Sequence, residues 1–202
     1  MKILCVGRNY AAHAAELGNN TPEEPVVFLK PDSAILGKGL PFVIPAFSTD
    51  IHHELEVVFK IGRVGKHIEP KFALRYLESV TVGIDFTART LQLDLKNKGL
   101  PWEKAKGFDG SAMVGKWISL DGLDPASLSF RLEKNGRTVQ SANTRQMTFS
   151  LESIISHISQ YFTLKTGDYL FTGTPEGVGP VSPGDILEGF LNDESLFRVS
   201  VR

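Results

Sequence analysis

Glycine and proline interrupt this chain at short intervals, 19 and 11 of them in 202 residues, and that punctuation constrains the fold more than any other feature. Between the breaks lie short runs rich in Val, Ile, Phe and Leu, which have the length and composition of strands. Nine runs predict strands: "MKILCVG", "PVVFLK", "HELEVVFKIG", "SVTVGIDFT", "LSFRLEKNG", "RTVQSAN", "DYLFTGT", "DILEGFL" and "LFRVSVR". The stretches "EKNGRT" and "SPGD" carry residues that accept a positive φ or preset it, and so predict turns. Three segments are helical in character. "RNYAAHAAELG" offers Asn9 as an N-cap and Gly18 as a stop, and "TARTLQLDLKNKG" follows a strand and ends at Gly99. "TFSLESIISHISQYF" spaces Leu151, Ile154, Ile155 and Ile158 along one buried face. The expected class is therefore β-rich α+β.

A chain of this length is most simply one domain spanning residues 1–202, long enough to bury a sizeable core. Its formal net charge of -1 supplies no basic field for nucleic acid and no acidic tail, so function should reside in a local site. The single Cys5 excludes an internal disulfide framework and a cysteine-based zinc cluster. No run approaches the roughly 20 apolar residues of a bilayer span, and the apolar "ILCVG" is met at once by Arg8. The expectation is a soluble cytoplasmic protein.

The chemistry begins in "DIHHELEVVFKIG", residues 50–62. In a strand, residues two apart point the same way, so Glu54 and Glu56 share a face with Cβ atoms ~6–7 Å apart, while Leu55 and Val57 turn to the core. Two like charges there call for something positive between them. Oxygen ligands suit a hard divalent ion such as Mg²⁺, and an exposed face carrying two solvated glutamates is the alternative. "HHELE" lacks the spacing of a helical zinc protease motif, which leaves His52 and His53 as supporting or packed residues. In "VGIDFTARTLQ", Asp85 closes an apolar strand and is a candidate third carboxylate. A helix starting there would place Asp85, Arg89 and Gln92 on one face, and it would equally make Asp85 a cap with Arg89 as its ion pair.

On the first predicted helix His13 and Glu16 stand three apart, where a carboxylate raises the basicity of an imidazole and orients it. The pair suits deprotonation of water, or is simply two polar residues on a solvated face. "FLKP" sets Lys30 at a strand end, and "PWEKAKGF" sets Lys104 and Lys106 two apart in a loop-like stretch. "FTGTPEGVGP" is a Gly-rich turn without the lysine of a P-loop or the helix of a dinucleotide fingerprint. Its N–H groups and Thr hydroxyls can cradle a carboxylate, or merely make a tight turn.

Together "GRNYAAHAAELG", "FLKP", "IHHELEVVFKIG", "GIDFTARTLQ", "KGLPWEKAKGFDGSAMVG" and "LFTGTPEGVG" resemble the fumarylacetoacetate hydrolase family, most of all its short single-domain branch of acylpyruvate hydrolases and oxaloacetate decarboxylases. The resemblance runs almost the whole chain. It implies a mixed β-sandwich or roll with a few peripheral helices, and a homodimer. It implies Glu54, Glu56 and Asp85 as ligands of Mg²⁺ or Mn²⁺, and His13 with Glu16 as a water-activating dyad on a lid helix. Lys106 and Gln92 would meet the substrate and its developing enolate, and Arg8, Lys30, Arg89 and Thr174 would line the pocket. The implied substrate is a small 2-oxo acid with a second carbonyl or carboxyl group. Hydrolysis of acylpyruvates to pyruvate and a carboxylic acid is the activity expected first, because both members of the dyad are present. Decarboxylation of oxaloacetate and tautomerisation of oxo acids pass through the same kind of enolate and are the alternatives. A metal-dependent protein that binds oxo acids without turnover is a further alternative, which an assay for turnover separates.

Overall fold

A computed structural model describes residues 1–16 and 22–202, the side chains of residues 13–15 excepted. In chain order the strands are β1 (Ile3–Gly7), β2 (Val26–Lys30), β3 (Ile51–His53), β4 (Leu55–Ile61), β5 (Leu77–Asp85), β6 (Thr87–Ala88), β7 (Ala112–Val114), β8 (Ile118–Ser119), β9 (Ser129–Lys134), β10 (Arg137–Asn143), β11 (Tyr169–Phe171), β12 (Gly179–Pro180), β13 (Ile186–Leu191) and β14 (Glu194–Ser200). The helices are α1 (Ala11–Glu16), α2 (Arg89–Asn97), α3 (Glu103–Lys106) and α4 (Leu151–Tyr161). All nine long apolar runs form strands, and the turn at Asn135 and Gly136 joins β9 to β10 as an Asn-Gly pair between two such runs should.

The largest sheet has the order β2-β1-β11-β4-β5-β7, with β8 also paired to β5. Among the described residues only β1 and β11 run parallel in it, and they are joined through most of the chain between them, as a parallel pair requires a crossover. A four-stranded sheet, β10-β9-β13-β14, and a small one, β12-β3-β6, complete the architecture. Strand β4 is apolar on both sides because both sides are covered. Leu55, Val57 and Phe59 join the main core, which also takes Phe130, Leu132 and Leu187 from the four-stranded sheet. Val58 packs on the reverse face with Ile3, Cys5 and Phe171. Each such buried side chain contributes ~1.5–3 kcal/mol relative to exposure, and this double burial fixes the register of β4 against β5. Asp85, at the end of β5, is followed by Phe86, whose ring stacks on Phe42 with centroids 3.7 Å apart and anchors the strand end.

Helix α4 buries the four predicted apolar residues and is capped by Ser150, whose side chain accepts from the Ser153 N–H. Helix α2 begins only at Arg89 and leaves at Gly99. The two-residue strand β6 separates it from Asp85, so Asp85 shares no helix face with Arg89 and Gln92. Asn9 is not a helix cap either. It is fully buried, and its amide donates to Thr172 O at 2.8 Å while Oδ1 accepts from Phe149 N at 2.8 Å. A buried amide that joins two distant segments outweighs a local cap, and α1 starts two residues later. Gly18, the expected stop, lies outside the described residues. Lys104 and Lys106, expected in a loop, stand on the four-residue helix α3.

Candidate functional site

Glu54 sits where β3 gives way to β4, Glu56 is the second residue of β4, and Asp85 ends β5. Pairing of Leu55 with Ile84, and a 2.8 Å bond from Asp85 N to Glu54 O, brings the two strand ends level. Each of the three acids offers an oxygen, and these oxygens lie within 4.8 Å of one another. All three residues are buried. The acids that the sequence spaces on one strand face are thus under cover, and the alternative of a solvated surface is set aside.

Three cations answer them. Lys106 reaches from α3 to donate to Glu54 Oε2 at 2.7 Å, Asp85 Oδ2 at 2.8 Å and Thr87 Oγ1 at 2.6 Å, using all three ammonium protons. Arg89 binds Glu54 Oε1 through one terminal nitrogen and Gln92 Oε1, at 2.8 Å, through the other. Lys30 lies 2.6 Å from Asp85 Oδ1 and donates to Ser111 O at 2.8 Å. The Ser111 hydroxyl in turn donates to Lys106 O at 2.7 Å, tying the two lysines into one frame. Burial by itself would depress the Lys106 pKa, but the charges of Asp85 and Glu54 outweigh it and hold the ammonium above its usual range.

Glu56 differs from the other two acids. It accepts the Gly173 N–H at 2.6 Å, and burial followed by the charges of Asp85 and Glu54 drives its carboxyl well above the usual range, against the pull of that N–H and of Lys106. Gly173 has φ 102, and a Cβ there would stand 2.7 Å from Asn9 Cβ, so the residue that delivers this N–H has to be glycine. A divalent cation would relieve what raises the Glu56 pKa. The all-oxygen donor set, oxygens converging at this spacing and one acid with no direct cation partner among the described residues fit a hard metal ion.

A cavity of about 50 Å³ opens beside the acids. Arg8, Arg89, Gln92, Lys106 and Thr174 all lie on its wall. Arg8 holds a left-handed φ of 57, a conformation costing ~1–3 kcal/mol in a non-glycine residue and concentrated at functional sites. Lys30 departs from expectation: it is buried behind Asp85 and does not line the cavity. Glu16 is exposed, and both its oxygens accept from Gly177 N, at 3.2 and 3.3 Å, in the Gly-rich turn. The His13 side chain lies outside the described residues. His52 pairs with Asp50 at 2.9 Å, and His53 packs on Gln140, with burial lowering its pKa to about 4.

Further residues at the site escape sequence reasoning. Thr87 and Ser111 give no signal, since isolated hydroxyls are everywhere. Lys96 and Trp102 also face the cavity, and Lys96 was readable, standing four residues beyond Gln92 and seven beyond Arg89 on one helix face. Burial, then repulsion by Arg8 and Arg89, lowers the Lys96 pKa, so three cations stand close together on the cavity wall.

The model of the fumarylacetoacetate hydrolase C-terminal family matches residues 2–202. The chain belongs to the fumarylacetoacetate hydrolase family. Among curated relatives, a mitochondrial oxaloacetate tautomerase of Arabidopsis thaliana is 45% identical over 201 residues, covering 99% of this chain and 90% of the relative. A mitochondrial oxaloacetate decarboxylase of Dictyostelium discoideum is 43% identical over 189 residues, 93% of this chain and 87% of the relative. The crystal structure of fumarylpyruvate hydrolase from Pseudomonas aeruginosa in complex with Mn²⁺ and pyruvate superposes with a TM-score of 0.94 at 35% identity, over 100% of this chain and 89% of that one. The mixed, sheet-rich architecture with few helices is accordingly the one this family shares. Its named relatives are hydrolases, decarboxylases and tautomerases, and this chain is a family hydrolase or isomerase.

Proposed function

We propose that this protein acts on small 2-oxo acids carrying a second carboxylate, oxaloacetate first among them, by promoting the enolate through which tautomerisation and decarboxylation pass, with Mg²⁺ or Mn²⁺ held by Glu54, Glu56 and Asp85. The observation that carries this reading is the lining of the cavity, which sets Arg8, Arg89 and Lys96 beside the three acids. A substrate with a carboxylate at each end offers one to an ion on the acids and one to these cations, where a neutral acyl tail offers only the first. When bound, the divalent ion supplies a Lewis acid for the 2-oxo oxygen.

The chain's own groups complete the scheme. Lys106 donates to Glu54, Asp85 and Thr87, and an ion taking over the two carboxylates would free its protons for negative charge on an enolate oxygen. Gln92 is steadied by Arg89 and presents its amide to the cavity. Arg8, Arg89 and Lys96 hold the distal carboxylate away from water. Hydrolysis of acylpyruvates, in which His13 and Glu16 activate the attacking water, is the second reading. The docking of Glu16 on Gly177 favours it, because that contact ties α1 to the turn bearing Thr174.

The test follows purified protein, with MgCl₂ or MnCl₂, through loss of oxaloacetate enol absorbance and formation of pyruvate, beside acetylpyruvate and fumarylpyruvate. Turnover that needs the metal and favours the dicarboxylates over acetylpyruvate is the expected result. Absence of turnover on all three substrates with either ion overturns the proposal and leaves a binding protein.

A further inference from the structure

Gln140 lies inside β10, in a run, "RTVQSAN", that reads as an ordinary strand. The register of β10 against β9 shifts between Thr138 and Gln140, and a bulge of this kind re-aims a side chain. Here it sends the Gln140 amide out of its own sheet and into the ground between the metal-ligating strand and the Gly-rich turn. The residue is 2% exposed, and its amide is fully satisfied. Oε1 accepts the Leu55 N–H at 2.9 Å and lies 3.1 Å from His53 Nδ1. Nε2 donates to Thr174 Oγ1 at 2.8 Å and to Pro175 O at 3.0 Å. Leu55 is the residue between Glu54 and Glu56, so one amide spans from the acids to the turn that carries Thr174. The turn is pressed on the bulge so closely that a Cβ on Gly177 would stand 2.2 Å from Val139 O.

The direction of this amide is forced. A backbone N–H can only donate and a backbone carbonyl can only accept, so Oε1 must face Leu55 and Nε2 must face Pro175. Two consequences follow. His53 must carry its proton on Nδ1, and Thr174 Oγ1 must accept from Gln140. A hydroxyl that accepts there keeps its single proton for a different partner, and Thr174 stands on the cavity wall.

We infer that Gln140 is a positioning residue: its amide turns the Thr174 hydroxyl into a hydrogen-bond donor toward the cavity, aimed at an anionic oxygen of the bound acid. The identity of that acid rests on the proposed function; the orientation of the hydroxyl does not. Gln140 touches no reacting atom and acts through Thr174.

Oxalate, a planar dianion that stands in for a 2-oxo acid, is the probe, titrated calorimetrically into Mn²⁺-loaded protein at pH 8. In Gln140→Glu one oxygen still accepts from Leu55, but the other accepts where the amide donated, so the Thr174 proton turns inward. Oxalate binding should weaken ~10-fold, the worth of one hydrogen bond to a charged group, with Mn²⁺ affinity changed by less than about twofold. Thr174→Val should weaken oxalate to a similar extent, and the double variant should be no worse than Thr174→Val alone. Losses that multiply to about 100-fold in the double variant would show that Gln140 works independently of Thr174 and overturn the inference. Equal losses of Mn²⁺ and oxalate affinity in Gln140→Glu would overturn it too, assigning the residue to the acids.

The ring nitrogens of His53 give a readout without ligand or substitution. Nitrogen-15 shifts of a neutral ring protonated at Nδ1 are expected in the wild-type protein. Protonation at Nε2 instead would mean that the amide faces the other way, and the inference fails even if no Gln140 variant folds. Failure of wild-type Mn²⁺-loaded protein to bind oxalate overturns the proposed function, and the nitrogen shifts then decide the orientation alone.

Discussion

Replacing Lys106 by methionine separates the two roles that its ammonium plays in this site. The methionine stem keeps most of the packing, including the approach to the Phe28 ring, whose centroid lies 5.3 Å from Nζ. What disappears is a buried charge donating to Glu54, Asp85 and Thr87 at 2.6–2.8 Å. Removing one partner of a buried ion pair costs ~3–5 kcal/mol, because the acids left behind remain out of water. At ~2–4 °C per kcal/mol for a chain of this size, metal-free Lys106→Met should melt about 6–20 °C below the wild type.

Divalent metal should reverse the ranking of affinities. In the wild type the ammonium and the ion compete for the same Glu54 and Asp85 oxygens, and the variant removes the competitor, so Mn²⁺ should bind it more tightly. An ion at saturating concentration stabilises both forms, so the gap narrows only by the ratio of their affinities, ~1.4 kcal/mol for each tenfold tighter binding by the variant. Urea unfolding in EDTA and in MnCl₂, beside a direct Mn²⁺ titration, measures both effects, and turnover should be lost in either condition. The reasoning is refuted if metal-free Lys106→Met unfolds within ~0.5 kcal/mol of the wild type, the range of an ordinary surface change. Weaker Mn²⁺ binding by the variant would refute it equally.

Two further changes probe the surroundings of the acids. Gly173→Ala forces a Cβ to within 3.1 Å of Val6 O at φ 102, which should cost ~1–3 kcal/mol and pull the N–H away from Glu56, weakening Mn²⁺; unaltered Mn²⁺ affinity would remove that N–H from the metal site. His53, lowered from its ordinary 6.5 to about 4, is neutral in the folded protein and takes up its proton more readily when unfolded. Its contribution is therefore whole above pH 6.5 and is lost as pH falls from there toward 4, by up to about 3 kcal/mol. In metal-free urea titrations between pH 7 and 4, His53→Gln should flatten the acid limb, and an unchanged slope would show that another group sets it.

The long strands were legible because burial on one or both faces leaves apolar runs between Gly and Pro. Strands β3, β6, β7, β8 and β12 were not, since two or three residues carry no period and are made strands by their neighbours in space. The shared face of Glu54 and Glu56 follows from the period of two alone. What covers that face does not, because α3 stands some fifty residues further along the chain and is placed by tertiary packing. Asn9 and Arg89 show why local rules fail at such sites. Asn9 has the look of a cap and serves as a staple between Phe149 and Thr172. Arg89 has the spacing to pair with Asp85 and reaches Glu54 instead, because β6 delays the helix.

The placement of Lys106, Arg89 and Lys30 explains how such a site can fold without a metal. Three buried carboxylates within 4.8 Å would repel one another by several kcal/mol, so a chain carrying only the acids would fold poorly or hold them protonated. Lys106 and Arg89 compensate from the cavity side, where an incoming ion can take over their oxygens, and Lys30 compensates from behind. Lys30 holds Asp85 Oδ1, leaving Oδ2 to Lys106, so displacement of Lys106 would free one Asp85 oxygen while the other stayed anchored. A cation on the cavity side is then exchangeable and the one behind it is permanent. That asymmetry would let one set of acids serve as a stable interior without a metal and as ligands to the proposed ion.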